Sequence, residues 1–161
     1  ILLSSELTIK KSIAMSLGLM LVLRIITKIY FHVSVDVFDI SIDNFASVPQ
    51  LFFTTRQDIQ DLIAFSGIEI AFLLISVLVP LYEEIIFRGV ILESCQRYIN
   101  FPIANLIQAT LFATIHMNLY LFPIFLLFGI ITGILRKKTG GLLGGIVFHI
   151  FNNVLAMISY M

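Results

Sequence analysis

The chain has 161 residues, of which 59% are hydrophobic and only 12% are charged, and its mean hydropathy is +1.04. A typical soluble domain is about half apolar and about a quarter charged, so this chain has too few charges to cover a water-facing surface. Ten basic and ten acidic residues give a net charge of zero, which excludes a nucleic-acid-binding protein. The single cysteine, Cys95, permits neither an internal disulfide nor a cysteine metal cluster. The composition predicts a polytopic membrane protein in a lipid bilayer.

Hydropathy divides the chain into about five to six membrane helices in an all-α bundle. The first span covers residues 13–31. A polar, acidic stretch over residues 32–61 follows it as a loop, with room for a short amphipathic segment. The next apolar stretch, residues 62–98, contains Pro80, which removes a backbone donor and should kink or break a helix. The sequence is compatible with one long kinked helix and with two separate helices.

Three further apolar stretches follow, separated by a break at residues 117–120 and by a basic segment at residues 136–141. The basic segment carries Arg136, Lys137 and Lys138 before two glycines, which predicts a tight turn. The three predicted spans are residues 102–116, residues 119–135 and residues 142–160.

Basic residues favour the cytoplasmic side of a membrane, and this rule places the acidic loop of residues 32–61 outside. We predict a multi-pass protein of a bacterial cytoplasmic membrane, and the oligomeric state is left open. Residues 1–66 form an N-terminal helix with its polar loop, and residues 67–161 form a helical core within the same membrane domain.

Three clusters of polar residues interrupt the apolar segments. Charged side chains in a bilayer are costly and usually functional. Glu84 and Arg88 are four residues apart, so they share a helix face and can pair. The clusters are Glu83, Glu84 and Arg88 in E-E-x-x-x-R, His116 in F-x-x-x-H, and His149 and Asn153 in H-x-x-x-N.

Helix geometry predicts similar depths for these clusters. A helix rises about 1.5 Å per residue. Glu83, Arg88, His116, His149 and Asn153 are therefore expected about 13–21 Å from the cytoplasmic ends of their helices. A carboxylate in apolar surroundings can take a proton from water as a general base. Imidazole and amide groups can stabilise an oxyanion or bind a metal. Pairing of Glu84 with Arg88 leaves Glu83 to act, which predicts peptide-bond hydrolysis by activated water.

The ordered motifs resemble those of the CAAX protease and bacteriocin-processing (CPBP, or Abi) intramembrane endopeptidases. Pro80 ahead of the two glutamates, Gly89 after the arginine, and a glycine-rich approach at residues 140–145 agree with that family. The resemblance covers residues 67–161 and implies a helical bundle with a cavity open to the cytoplasmic side. It also implies that Glu83 activates water, that Glu84 and Arg88 support it, and that His116, His149 and Asn153 complete the site.

Two questions remain open within this resemblance. A glutamate-type mechanism is favoured, but Glu83, His116 and His149 would be a legitimate zinc set, so no cofactor is certain. The substrate is a peptide or protein: a leader peptide, a pheromone or a CAAX-like C-terminus.

The alternative function is a non-catalytic immunity protein of the same fold, as in bacteriocin self-immunity. A proton-coupled transporter is disfavoured because no inverted repeat is visible. Phe112 and Phe128 are expected to face lipid or to pack in the bundle.

Overall fold

The computed structural model describes residues 6–41 and 56–160. Within these ranges the chain forms six helices and no strand, which confirms the predicted all-α bundle. The predicted loop over residues 32–61 is too long: a π-helical turn, Val33–Val37, continues the first helix into it, and the next helix begins at Arg56. Residues 42–55 of that loop lie outside the described residues. The helices are α1 (Glu6–His32), α2 (Arg56–Ser66), α3 (Ile68–Gln96), α4 (Phe101–Ile115), α5 (Phe122–Thr139) and α6 (Leu143–Tyr160).

Helix α3 is one continuous helix of 29 residues, so the chain does not split into two spans at Pro80. Two π-helical turns, Leu74–Leu78 and Ile85–Ile91, interrupt its α-helical geometry. The first of them lies directly before Pro80, and such local π adjustments allow a membrane helix to accept a proline. The chain breaks earlier, at Gly67, where φ is 84°. Glycine adopts this left-handed conformation without steric cost.

The connections around α4 and α5 follow from local capping. Asn100 caps α4, because its side chain accepts a hydrogen bond of 3.2 Å from the backbone N–H of Ile103. The predicted break at residues 117–120 is confirmed between α4 and α5. The predicted basic turn is wrong in position, because Arg136, Lys137 and Lys138 form the last helical turn of α5. The chain turns only at Gly140, where a left-handed residue ends the helix.

Helices α4 and α5 form the tightest pair in the described part of the bundle. A Cβ atom built on Gly129 would lie 2.8 Å from the Cα of Ala109, and one on Gly133 would lie 1.8 Å from Oδ1 of Asn105. Gln108, which is fully buried, donates to the carbonyl of Gly129 at 2.8 Å. Small residues and interhelical hydrogen bonds of this kind let membrane helices approach closely.

Helix α1 packs on α5 and α6 and closes the bundle. The buried hydroxyl of Ser16 donates to the carbonyl of Gly144 at 2.7 Å and joins α1 to α6. The outer surface is largely apolar, with Leu21 and Leu119 exposed by 69% and 79%. Two described segments, Ile9–Val37 and Ile68–Gln96, are long and apolar enough to cross a membrane. The buried core comprises Met20, Leu23, Phe87, Phe112, Phe128, Ile131, Leu135 and Phe148.

Candidate active site

The first polar cluster lies on the inward face of α3. Glu83, Glu84 and Arg88 are all buried there. Nη1 of Arg88 lies 3.1 Å from Oε1 of Glu84, and both side chains are completely inaccessible to solvent. The spacing of four residues predicted this pair, and the structure confirms it. Glu84 ends an α-helical segment, and Arg88 follows in the second π-helical turn.

His149 of α6 lies between the two carboxylates of α3. Its Nδ1 is 3.2 Å from Oε1 of Glu84, and its Nε2 is 3.4 Å from Oε2 of Glu83. One imidazole therefore contacts both members of the acidic pair. The side chain of Glu83 remains 8% accessible, whereas that of Glu84 is fully enclosed. The structure thus brings the first and third motifs together as one buried polar cluster.

Gly145 makes room for Glu84 one helical turn before His149. A Cβ atom at this position would lie 2.3 Å from Oε2 of Glu84 and 3.1 Å from its Cδ. Any larger residue would therefore displace the carboxylate. The glycine-rich approach to His149 was visible in the sequence, but its contact with Glu84 was not predicted.

Two phenylalanines wall the polar cluster. The guanidinium carbon of Arg88 lies 4.5 Å from the ring centroid of Phe112, a distance at which a cation–π attraction operates. The ring of His149 lies 5.9 Å from that of Phe112 and 4.7 Å from that of Phe128. The sequence predicts that both phenylalanines face lipid or pack in the bundle. They are buried and pack directly against the polar cluster, and the only hint was the place of Phe112 in F-x-x-x-H.

His116 follows the end of α4. Its Nδ1 lies 2.7 Å from the carbonyl oxygen of Phe112, and because a carbonyl only accepts, Nδ1 carries the proton. The lone pair of a neutral His116 is therefore on Nε2. The ring stacks on Phe125 at 4.0 Å and contacts Phe112 at 4.5 Å. Phe112 contacts both His116 and His149, and within the described residues His116 makes no direct contact with Glu83.

Asn153 lies one turn beyond His149 on α6. Its Nδ2 donates to the backbone carbonyl of Ile75 on α3 at 3.0 Å. Its side chain therefore binds the backbone of the helix that carries the carboxylates. The neighbouring Asn152 accepts a hydrogen bond of 3.2 Å from Arg24 through its backbone carbonyl. Of the six predicted site residues, four form one connected cluster, in which Arg88 contacts Glu84 and His149 contacts both glutamates. His116 and Asn153 lie at its edge.

The arrangement of Glu83, His116 and His149 does not fit the zinc site that these three residues could form according to the sequence. Among the described residues, no group of three His, Cys, Asp or Glu side chains is arranged to hold a metal ion. His149 directs its two nitrogens at Glu83 and Glu84, and the Nδ1 of His116 is engaged with a carbonyl of its own helix. No chemical step is therefore assigned to a metal.

Several buried polar atoms in the cluster have no hydrogen-bond partner among the described residues. They include all three guanidinium nitrogens of Arg88 and Oε2 of Glu84. The contact between Arg88 and Glu84 is thus an ion pair without aligned hydrogen bonds. Buried polar groups are nearly always hydrogen-bonded, so these atoms provide donors and an acceptor for a polar ligand such as water or a peptide group.

A comparison with protein families shows which family the chain belongs to. A family described as type II CAAX prenyl endopeptidase, Rce1-like, matches residues 66–155, which is more than half of the chain and contains all three motifs. The chain belongs to this family. Membership confirms the resemblance to CAAX proteases and implies an intramembrane endopeptidase. The family and the apolar helices together point to a membrane protein. No curated protein and no solved structure gives a significant match.

Proposed function

We propose that the protein is a glutamate-type intramembrane endopeptidase in which Glu83 activates water. The observation that carries the proposal is the position of His149 between Glu83 and Glu84 in a buried cluster. Ionisable groups are costly inside a bilayer and persist there for function. Two acids, an arginine and a histidine from two different helices form this cluster, and that composition suits general acid–base chemistry.

The environments of the two glutamates support different roles. Glu84 is fully enclosed, pairs with Arg88, and is confined by Gly145. It is suited to hold Nδ1 of His149 in place. Glu83 keeps a small accessible area and makes no ion pair with an arginine or lysine in the described part of the chain. A base must reach the water that it deprotonates, so Glu83 is the better candidate for that role.

The proposed reaction is hydrolysis of an amide. Glu83 takes a proton from water, and the oxygen of that water forms a bond to the carbonyl carbon of the scissile peptide. The carbon–nitrogen bond then breaks, and the proton held by Glu83 goes to the leaving amine. The guanidinium of Arg88 and the imidazole of His149 supply positive charge or N–H groups for the oxygen that becomes negative in the intermediate. The Nδ1 proton of His116 is held by the carbonyl of Phe112, so a neutral His116 can only accept a hydrogen bond, at Nε2.

The substrate is a peptide or protein that reaches the bilayer. The family description names CAAX prenyl endopeptidases, so a CAAX-like C-terminus is one candidate, and a leader peptide or pheromone is another. We place the enzyme as a multi-pass protein of a bacterial cytoplasmic membrane. The apolar outer faces of its helices support a location in a membrane.

Proteomics of peptide termini tests the proposal directly. Cells producing the wild-type chain should contain new peptide termini that are absent from cells producing Glu83→Gln. Glu93→Gln is the matched control, because Glu93 lies on the same helix but pairs at the surface with Arg136 at 2.7 Å. This control should generate the same termini as wild type. Membrane levels of all three proteins should be compared by immunoblotting.

Equal cleavage by wild type and Glu83→Gln would refute the mechanism. A non-catalytic immunity protein of the same fold would instead protect cells fully with all three motifs mutated. The two functions therefore give opposite results for variants at Glu83 and His149.

A further inference from the structure

Pro80 deprives one carbonyl of α3 of its backbone donor. In the π-helical turn before it, the N–H of Val79 donates to the carbonyl of Leu74. The next carbonyl is that of Ile75. In an α-helix it would accept from the N–H four residues later, that of Val79, and in a π-helix from the N–H five residues later, at position 80. The N–H of Val79 is already engaged, and proline has no N–H. Neither register therefore supplies a backbone donor to Ile75.

Asn153 of α6 supplies the missing donor. Its Nδ2 lies 3.0 Å from the carbonyl oxygen of Ile75. An unsatisfied carbonyl is costly in an apolar bundle, where water cannot replace the lost partner. Asn153 lies four residues after His149 on the same helix, so this hydrogen bond joins α6 to α3 one turn away from the contacts of His149 with the carboxylates.

We propose that Asn153 is a positioning residue that replaces the backbone donor removed by Pro80. The hydrogen bond fixes the register of α6 on α3 and so keeps His149 between Glu83 and Glu84. Pro80 of the first motif and Asn153 of the third then form a functional pair. The part of this inference that concerns catalysis rests on the proposed function, whereas the pairing itself does not.

A double-mutant cycle separates this role from direct action on the substrate. Asn153→Leu removes the donor at similar volume. Pro80→Ala restores a backbone N–H at that position, and Ile75 then gains a donor in either register. The donor is the restored N–H if the π-helical turn persists, or that of Val79 if the turn relaxes. The readout is the rate of Glu83-dependent cleavage of a substrate found by terminus proteomics.

In the Pro80 background, Asn153→Leu should reduce cleavage by about a hundredfold, the typical effect of an ångström-scale misplacement of catalytic groups. In the Pro80→Ala background the same substitution should reduce it less than about tenfold. An equal loss in both backgrounds would mean that Asn153 acts on the reacting atoms, and it would overturn the proposal.

Unfolding supplies a readout that does not depend on catalysis. The cycle repeated by SDS titration in mixed micelles should show a coupling of about threefold to twentyfold in the unfolding equilibrium constant, the usual range for hydrogen bonds between membrane helices. Asn152→Leu, one residue away, should show no coupling to Pro80→Ala. Absence of coupling for Asn153 refutes the pairing even if Glu83-dependent cleavage is present. Coupling without any Glu83-dependent cleavage refutes the proposed function and leaves the pairing intact.

Discussion

Replacing Gly145 by alanine tests whether the position of Glu84 matters for activity. The added Cβ would lie 2.3 Å from Oε2 of Glu84, whereas an ordinary contact begins at 3.4 Å. The carboxylate must therefore move by about 1 Å, given how steeply repulsion rises below contact distance. It is enclosed on every side, so this movement alters its contacts with Arg88 and His149.

Stability and activity should respond very differently to this substitution. Overpacking a buried site costs about 1–3 kcal/mol, while exchanging glycine for alanine within a helix recovers about 1 kcal/mol. The net loss of unfolding free energy should therefore be at most about 2 kcal/mol. A misplacement of about 1 Å in a catalytic cluster can reduce the rate by about a hundredfold. We expect Gly145→Ala to accumulate in membranes and to cleave very slowly.

The assay is the rate of product formation from a labelled substrate peptide in proteoliposomes, with SDS titration as the measure of stability. Gly144→Ala is the matched control, because the nearest atoms to its Cβ would belong to Thr139 and Leu135, at 3.3 Å or more. This neighbouring variant should retain most of its activity. Wild-type cleavage by Gly145→Ala would show that the placement of Glu84 is irrelevant to the reaction, and the division of roles between the two glutamates would then be wrong.

Three further outcomes follow from the geometry. Activity of the purified protein should survive dialysis against EDTA, because no described group of three ligands is arranged for a metal; a loss that zinc restores would contradict this. Gly133→Ala should lower the unfolding free energy by about 1–3 kcal/mol, because its Cβ would lie 1.8 Å from Oδ1 of Asn105. In SDS titration, the same substitution should cost less unfolding free energy when Asn105→Ala is also present. Arg88→Met should destabilise the protein by up to about 3–5 kcal/mol, because buried Glu84 loses its arginine partner and keeps only the contact with His149. The double variant with Glu84→Gln should unfold at higher SDS than Arg88→Met alone, and a lower midpoint would argue against the buried ion pair.

Features within a single helix were predictable from the sequence. The pairing of Glu84 with Arg88 follows from a spacing of four residues, which helix geometry fixes without any tertiary information. The break after His116 was visible because the uncharged stretch is too long for one span. Depth along the bundle also brought His149 to the level of the glutamates. These predictions needed only the rise per residue and the sequence of apolar and polar positions.

Features that depend on helix rotation could not be predicted. His116 has the right depth, but its ring turns back so that Nδ1 reaches the carbonyl of Phe112 on its own helix. Asn153 shares a face with His149, yet it meets the backbone of α3. The π-helical turns rotate α3 by amounts that no hydropathy pattern encodes, and for the same reason Pro80 could not be assigned as a kink or a break. Contacts between helices were therefore open even where each helix was predicted.

The close approach of α4 and α5 also limits how the bundle can deform. The backbones of α4 and α5 approach closely at Gly129, and the side chain of Asn105 fills the space at Gly133, so the two helices cannot slide without collision. The hydrogen bond from Gln108 resists their separation. These two helices therefore move as one stiff body, and they carry Phe112, Phe128 and the segment that holds His116. This wall of the polar cluster acts as a fixed surface. Under the proposed function, any movement that admits a peptide to the cluster must therefore come from the helices on the other sides.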